Sequence, residues 1–331
     1  MSRTERLHAL VDKGFSALDD GDIAGAAKLL DQARRIDKTA AAVRLLEASI
    51  ADADGEPDRA IEIYGELAAA HPDDPLPHLH AAGTHLYSLE DAPAAVAAVD
   101  RALALIEDED ELVDAIMLKA RALSAQGEAH LPAARELLAE LDSSSIDEPE
   151  IIAAIGETAL EIGDPAVAAS WWMKLTDDEE WAADAWYGVG MAKDIAGDAA
   201  ARTAAWLTVH KLDGDAPRPD FQISADDLET IAAEAIRELP PLARERLGNV
   251  PVLIADRPSP EQVADGTDPR LLGLFAGTPM PAESAVGGAP TLTTIHLFHH
   301  NLEASAMDAE DLAEQIRITV LHETAHFFGL D

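Results

Sequence analysis

Between residues 7 and 213 a polar turn recurs between apolar helical stretches: Gly21-Asp22, Gly55-Glu56, Glu90-Asp91, Gly127-Glu128, Gly163-Asp164 and Gly197-Asp198. The intervals are 34, 35, 37, 36 and 34 residues. Roughly five residues past each turn stands a small side chain, at Ala26, Ala60, Ala95, Ala133 and Ala168. Four further on comes a larger apolar one, at Leu30, Tyr64, Val99, Leu137 and Trp172. Small residues let two helices approach closely, and the larger ones fill the space between neighbouring pairs. Gly14, Gly83 and Gly190 each stand seven residues before a turn, at one place in the first helix of a unit. The pattern predicts about six helix–turn–helix units. The fourth has a longer turn, and the sixth puts Arg202 where a small residue is usual. All five Trp (171, 172, 181, 186 and 206) fall in units five and six. They either enlarge the core of those units or form a dock for the next domain.

After the sixth unit the pattern changes. Residues 211–222 hold Asp, Gly and two Pro, which break a helix and read as a linker. This divides the chain into 1–213 for the repeats, 214–222 for the connection and 223–331 for a second domain. Ser224 with Asp227 forms a reciprocal cap, and Leu228, Ile231, Ala232, Ala235, Ile236 and Leu239 follow at helical spacing until Pro240-Pro241. Val250–Ala255, Leu271–Phe275 and Thr293–His299 read as three strands, separated by loops bearing Gly and Pro. Asp308–Phe328 reads as the last helix, with Leu312, Ile316, Thr319, Val320, Glu323 and Phe327 on adjoining stripes. The predicted class is multidomain: all-α helical repeats, then a small α+β domain.

Composition adds limits. The 331 residues are 48% hydrophobic and 4% aromatic, which is globular and suited to close-packed helices. No run of 18 apolar residues suggests a membrane span, and Met1–His8 lack a hydrophobic signal core, so a cytoplasmic location is expected. Without Cys there are no disulfides and no thiolate metal ligands. A net charge of −39 argues against nucleic acid and anionic membrane as partners. It serves solubility, and its sharper reading is a preference for basic partner peptides.

Candidate chemistry lies in His322-Glu323-Thr324-Ala325-His326. On a helix, positions i and i+4 share a face, so both imidazoles can meet one zinc ion, with Glu323 beside them as a base. Neutral imidazoles hold the ion, and an open position takes water whose pKa falls to about 7. Apolar residues flank the motif: Ile316, Ile318, Val320 and Leu321 before it, Phe327-Phe328 after it. Gly329 stands where a helix stops and the chain turns back.

The first region resembles the tetratricopeptide repeat, most closely in Gly14…Gly21-Asp22…Ala26…Leu30…Ala33 and Ala48…Gly55…Ala60…Tyr64…Leu67…Pro72. The resemblance implies a right-handed solenoid whose concave face binds a protein or peptide, the alternative being a spacer without a ligand. From about Phe221 onward the chain resembles the small bacterial zincin-like metallopeptidase family. The carrying stretches are Leu239–Val250, Leu272–Pro279, Ile295–Phe298 and Thr319–Gly329. That resemblance implies a minimal zincin fold with Zn2+ as cofactor, His322 and His326 as ligands, Glu323 as general base and Gly329 as the turning glycine. It places a third carboxylate ligand ten residues after His322, one position past Asp331, so Asp331 is the candidate nearest to it. The resemblance also makes the edge strand beside the active helix line the cleft. His296 or His299 then become cleft candidates for steadying an oxyanion, though residues three apart in a strand cannot both face it. The alternative is surface His at a strand end. Met280 reads as loop packing.

Three functions stay open. The first is a zinc-dependent peptidase whose repeats recruit a protein substrate or partner. The second is a repeat adaptor with an inactive zincin domain, and the third a regulator stabilised by metal. Glu323 favours the first over the third, because a structural site needs no base. The position one past Asp331 favours the other two.

Overall fold

The computed structural model describes residues 2–141, 143–248, 250–277 and 294–330. They fall in two compact units, Met1–Trp172 and Met173–Asp331.

The first unit is all helix: α1 (Arg3–Asp19), α2 (Ile23–Asp37), α3 (Ala41–Ala53), α4 (Pro57–Ala70), α5 (Leu76–Gly83, continued by a π turn over Thr84–Ser88), α6 (Ala92–Leu103), α7 (Glu109–Ala125), α8 (Leu131–Ala139), α9 (Pro149–Glu161) and α10 (Pro165–Trp172). The expected turns are present. Gly21, Gly55, Gly127 and Gly163 take φ of 73°, 81°, 100° and 70°. Glu90 replaces glycine at the third turn and is the one non-glycine residue with positive φ among the described residues, at 52°. Ala26, Ala60, Ala95 and Ala168 are fully buried, as the spacing requires of close helix contacts. The fourth unit corrects the pattern. A 3-10 turn at Glu128–His130 precedes α8, so Ala134 and Leu138 are buried while Ala133 is exposed.

The second unit opens with another helix pair, α11 (Ala182–Ile195) and α12 (Ala199–Asp215). Helix α12 runs through Lys211–Asp215, residues read as linker, and stops at Ala216 because Pro217 disfavours a helical residue before it. Then come α13 (Ala225–Glu238), α14 (Pro241–Leu247), β1 (Val252–Ala255), α15 (Pro260–Ala264), β2 (Gly273–Ala276), β3 (Thr294–Phe298), α16 (His299–Ser305) and α17 (Ala309–Phe327). The Ser224–Asp227 cap forms as expected. Pro241 ends nothing new: it opens α14 at the first helical position, where its missing N–H costs no bond. Residues taken as loop after β1 include α15, set by a Ser259–Gln262 capping box.

The sheet order is β1-β3-β2, with β1 parallel and β2 antiparallel to β3. Central placement explains why Ile295, Leu297 and Phe298 of β3 are all buried. Leu228, Ala232 and Ala235 of α13, Leu302 of α16, and Leu312, Ile316, Val320 and Phe327 of α17 complete that core.

Trp206 explains Gly190. A Cβ on Gly190 would come within 2.1 Å of the Trp206 ring, and the same pairing recurs in the first unit, where Gly156 would meet Trp172 at 2.6 Å. Arg202 lies over Trp206 at 5.3 Å and pairs with Asp194 at 2.8 Å, which is how the sixth unit accommodates it. Gly190→Ala is therefore expected to destabilise the second unit by about 1–3 kcal/mol. Gly83→Ala, with nothing within 4 Å of the added carbon, should be neutral or stabilising by up to about 1 kcal/mol. Calorimetric melts of the two variants check both signs.

Polar contacts tie α11 and α12 to the sheet region. Arg270 donates to Asp213 at 2.9 and 3.0 Å and to Asp184 at 2.6 Å, and Tyr187 donates to Asp268 at 2.6 Å. Burial, then Asp268, pushes the Tyr187 phenol far above its ordinary value. Residues 173–331 should thus melt as one cooperative unit, and a fragment starting at residue 223 should melt lower or not cooperatively.

Candidate metal centre

Helix α17 begins at an Asp308 cap, whose carboxylate accepts from the N–H groups of Glu310 and Asp311. Its buried stripe of Leu312, Ile316, Thr319, Val320, Glu323 and Phe327 fixes its rotation on the sheet. That rotation turns His322 outward and leaves His326 half-buried one turn on. Their Nε2 atoms lie 3.0 Å apart and their rings meet edge to face, with centroids at 4.5 Å. The helix ends as the sequence suggests. Gly329 takes φ 68°, its N–H bonds to His326 O, and Leu330 N–H bonds to Ala325 O, which satisfies the last carbonyls.

Glu323 is turned toward β2. It is 5% exposed, and Oε2 accepts the N–H of Phe275 at 2.6 Å. Gly273 makes this approach possible. A Cβ there would come within 2.6 Å of Thr319 Cγ2 and 2.9 Å of Glu323 Cγ. Sequence reasoning placed Gly273 and Phe275 in a strand but gave them no part at the site. A glycine inside a strand pattern is the signal that another element approaches closely.

His322, Glu323 and His326 line one groove of about 450 Å³ with Gly273, Leu274 and Phe275 of β2. Two nitrogens on one tetrahedral zinc ion stand about 3.3–3.4 Å apart. The observed 3.0 Å pair fits that ion after a small spreading. Among the described residues, no further His, Asp or Glu lines this groove. Asp331 lies outside the described residues, as does Met280.

The other candidate histidines are elsewhere. Among the described residues the edge strand beside α17 is β2, while β3 is the middle strand, so His296 does not sit on a sheet edge. His296 is half-buried, contacts Thr294 Oγ1 at 3.1 Å, and has its pKa lowered by burial. His299 does not end the strand; it is the first residue of α16, buried, with Nε2 3.1 Å from Glu303 Oε1. Neither lines the groove of His322 and His326.

In the first unit a second groove, about 660 Å³, is lined by Asp19, Asp52, Glu111 and Asp114 together with Tyr64 and the exposed Tyr87. Burial, then the neighbouring carboxylates Asp108, Asp74 and Asp114, raises the Glu111 pKa. No helix of the described residues is long and apolar enough to cross a membrane.

The family model for zincin-like metallopeptidase matches residues 247–331, and that for the tetratricopeptide repeat matches residues 17–83. No curated protein matches the chain. Among solved structures it is similar to PilF of Pseudomonas aeruginosa, at 15% identity over 65% of this chain and 96% of that one, with a TM-score of 0.45. It is also similar to PilW, a widely conserved type IV pilus biogenesis factor, at 16% identity over 63% and 94%, with a TM-score of 0.48. A tetratricopeptide repeat protein from Parabacteroides merdae gives 13% identity over 73% and 97%, with a TM-score of 0.41. Likenesses this distant carry no argument about function. The two family matches thus place a tetratricopeptide repeat at residues 17–83 and a zincin-like metallopeptidase domain at residues 247–331.

Proposed function

We propose that the second unit hydrolyses peptide bonds with zinc, and that the repeats of the first unit recruit the protein substrate or a partner. The observation that carries the reading is the convergence of His322, His326 and Glu323 on one groove floored by an edge strand. When bound, zinc supplies Lewis-acid polarisation of a carbonyl and lowers the pKa of water. His322 and His326 would hold it, with Asp331 the candidate third ligand. Glu323 takes a proton from the attacking water and hands it to the leaving amine. Phe275 N–H holds the Glu323 carboxylate in place before substrate arrives. Among the described residues no strand pairs with the outer edge of β2, and that edge would offer backbone groups to an extended peptide lying across the histidines as an added strand.

Tetratricopeptide repeats mediate protein–protein interaction, and the acidic groove of the first unit suits a basic peptide. Lack of Cys suits a reducing compartment, and a cytoplasmic location is proposed with the activity. The test is zinc content. The purified chain should bind zinc, and His322→Gln/His326→Gln should lose one equivalent. Equal zinc in both proteins would remove the basis for the reading.

One observation favours an adaptor with an inactive domain, namely that the described lining of the groove offers two imidazoles and no third ligand. In that case the chain would capture a partner equally with and without His322 and His326, and neither form would cleave it.

A further inference from the structure

We propose a second metal site, formed by Asp256, His299 and His300 at the carboxyl ends of β1 and β3, for a zinc-class divalent ion. None of the three lines the groove of His322 and His326.

The placement follows from strand register. β1 and β3 run parallel, paired from Val252↔Ile295 to Ala255↔Phe298. The next residues along each strand, Asp256 and His299, therefore emerge side by side. His300 N–H donates to Asp256 O at 2.9 Å, which holds the two chain segments together where they leave the sheet. One ligand atom from each of Asp256, His299 and His300 lies within 4.8 Å of the others, and His300 Nε2 is 3.4 Å from Asp256 Oδ1. Ligand atoms on a tetrahedral zinc ion stand roughly 3.3–3.6 Å apart. Asp256 is free to move toward the imidazoles because its side chain is 76% exposed.

Burial supplies an independent argument. The His299 residue is 5% exposed, and its Nε2 lies 3.1 Å from Glu303 Oε1 without meeting hydrogen-bond geometry. The nearest acceptor, Glu303 Oε1 at 3.1 Å, is already engaged by Arg218 and by Ile223 N–H. A buried imidazole nitrogen without a well-formed bond is costly, and offering a nitrogen of this ring to a metal ion would reduce that cost. Two imidazoles and one carboxylate form a donor set used by zinc, with the exposed side of Asp256 left for water. Imidazole donors also select zinc, copper or nickel over magnesium and calcium. Arg218 and Arg257 stand near His300. The carboxylates of Asp256 and Glu303 balance their charge against an incoming cation. Bound there, the ion joins the end of β1 to the start of α16 and stiffens the sheet that carries the groove.

The proposal is independent of peptidase activity, and its test begins by removing the first site. Full-length His322→Gln/His326→Gln is titrated with zinc alone, followed by calorimetry, and with cobalt alone, followed by its visible absorption. One zinc per chain and a raised melting temperature are expected. Adding Asp256→Asn and His300→Gln should weaken that binding by more than the ~10–100-fold that loss of a supporting partner costs. Both residues are at least partly exposed, so the variant should fold, and circular dichroism checks that. In the otherwise unaltered chain, Asp256→Asn/His300→Gln should lower zinc from two equivalents to one. The proposal is overturned if His322→Gln/His326→Gln binds no zinc, or if it binds equally with Asp256 and His300 replaced. Loss of hydrolysis with two zinc ions still bound would count against the peptidase reading alone.

Discussion

Glu323→Gln is expected to keep its metal and to lower peptide hydrolysis by about 10²–10⁴-fold or more, the share a positioned general base contributes. The substitution is nearly isosteric, and a glutamine oxygen can still accept the Phe275 N–H that Glu323 accepts at 2.6 Å. Helix α17 should therefore stay on β2, and the melting temperature should change little. What is lost is the carboxylate that takes a proton. Rates measured under saturating zinc, beside metal content for the same preparation, separate this effect from loss of the ion. Hydrolysis at the original rate with glutamine in place would contradict the role given to Glu323.

The largest effect on stability is expected from Arg218→Ala. Glu303 is fully buried, and its carboxylate is held by two guanidinium bonds from Arg218, at 2.7 and 2.6 Å, and by Ile223 N–H at 3.0 Å. Truncating the arginine leaves a buried charge with a backbone donor and His299 as its remaining neighbours. Removing one partner of such a pair costs about 3–5 kcal/mol, a large part of the total stability of an ordinary domain. Arg218→Lys should recover only part of the loss, because an ammonium cannot form the two-pronged contact. Arg218→Ala/Glu303→Leu should recover more, because no charge is then buried. Denaturant melts of the four proteins give the order. A small loss for Arg218→Ala would mean that Glu303 is not held as an ion in the folded state.

The repeats were legible in the sequence because each unit is local. Its turn, small residue and large residue lie within about twenty positions, and helix geometry alone places them together. The i, i+4 spacing of His322 and His326 was legible for the same reason. The sequence misled at two element starts, where the local backbone decided. Ala133 already stands slightly late in the fourth unit, and a 3-10 turn shifts burial one further, to Ala134. The pattern Thr293–His299 alternates like a strand, but His299 turns into α16 beside Glu303. Nothing local said that β2 would be the edge strand, because sheet order depends on pairings some 20–45 residues apart in the chain. The Arg218–Glu303 pair, 85 residues apart, and the meeting of Asp256 with His299 had no sequence signal at all. Gly273 did have one, a glycine within a strand, and the structure supplies its reason in Thr319 and Glu323.

The central claim is that residues 173–331 carry a zinc peptidase. The most direct measurement is cleavage of a diverse peptide library, read by mass spectrometry. Zinc-loaded full-length chain is compared with the same chain stripped by chelator and with zinc-loaded Glu323→Gln. The account predicts new peptide termini in the first sample alone, restored to the second when zinc is returned. Identical products in all three samples, or no products from the zinc-loaded chain across the library, would contradict it.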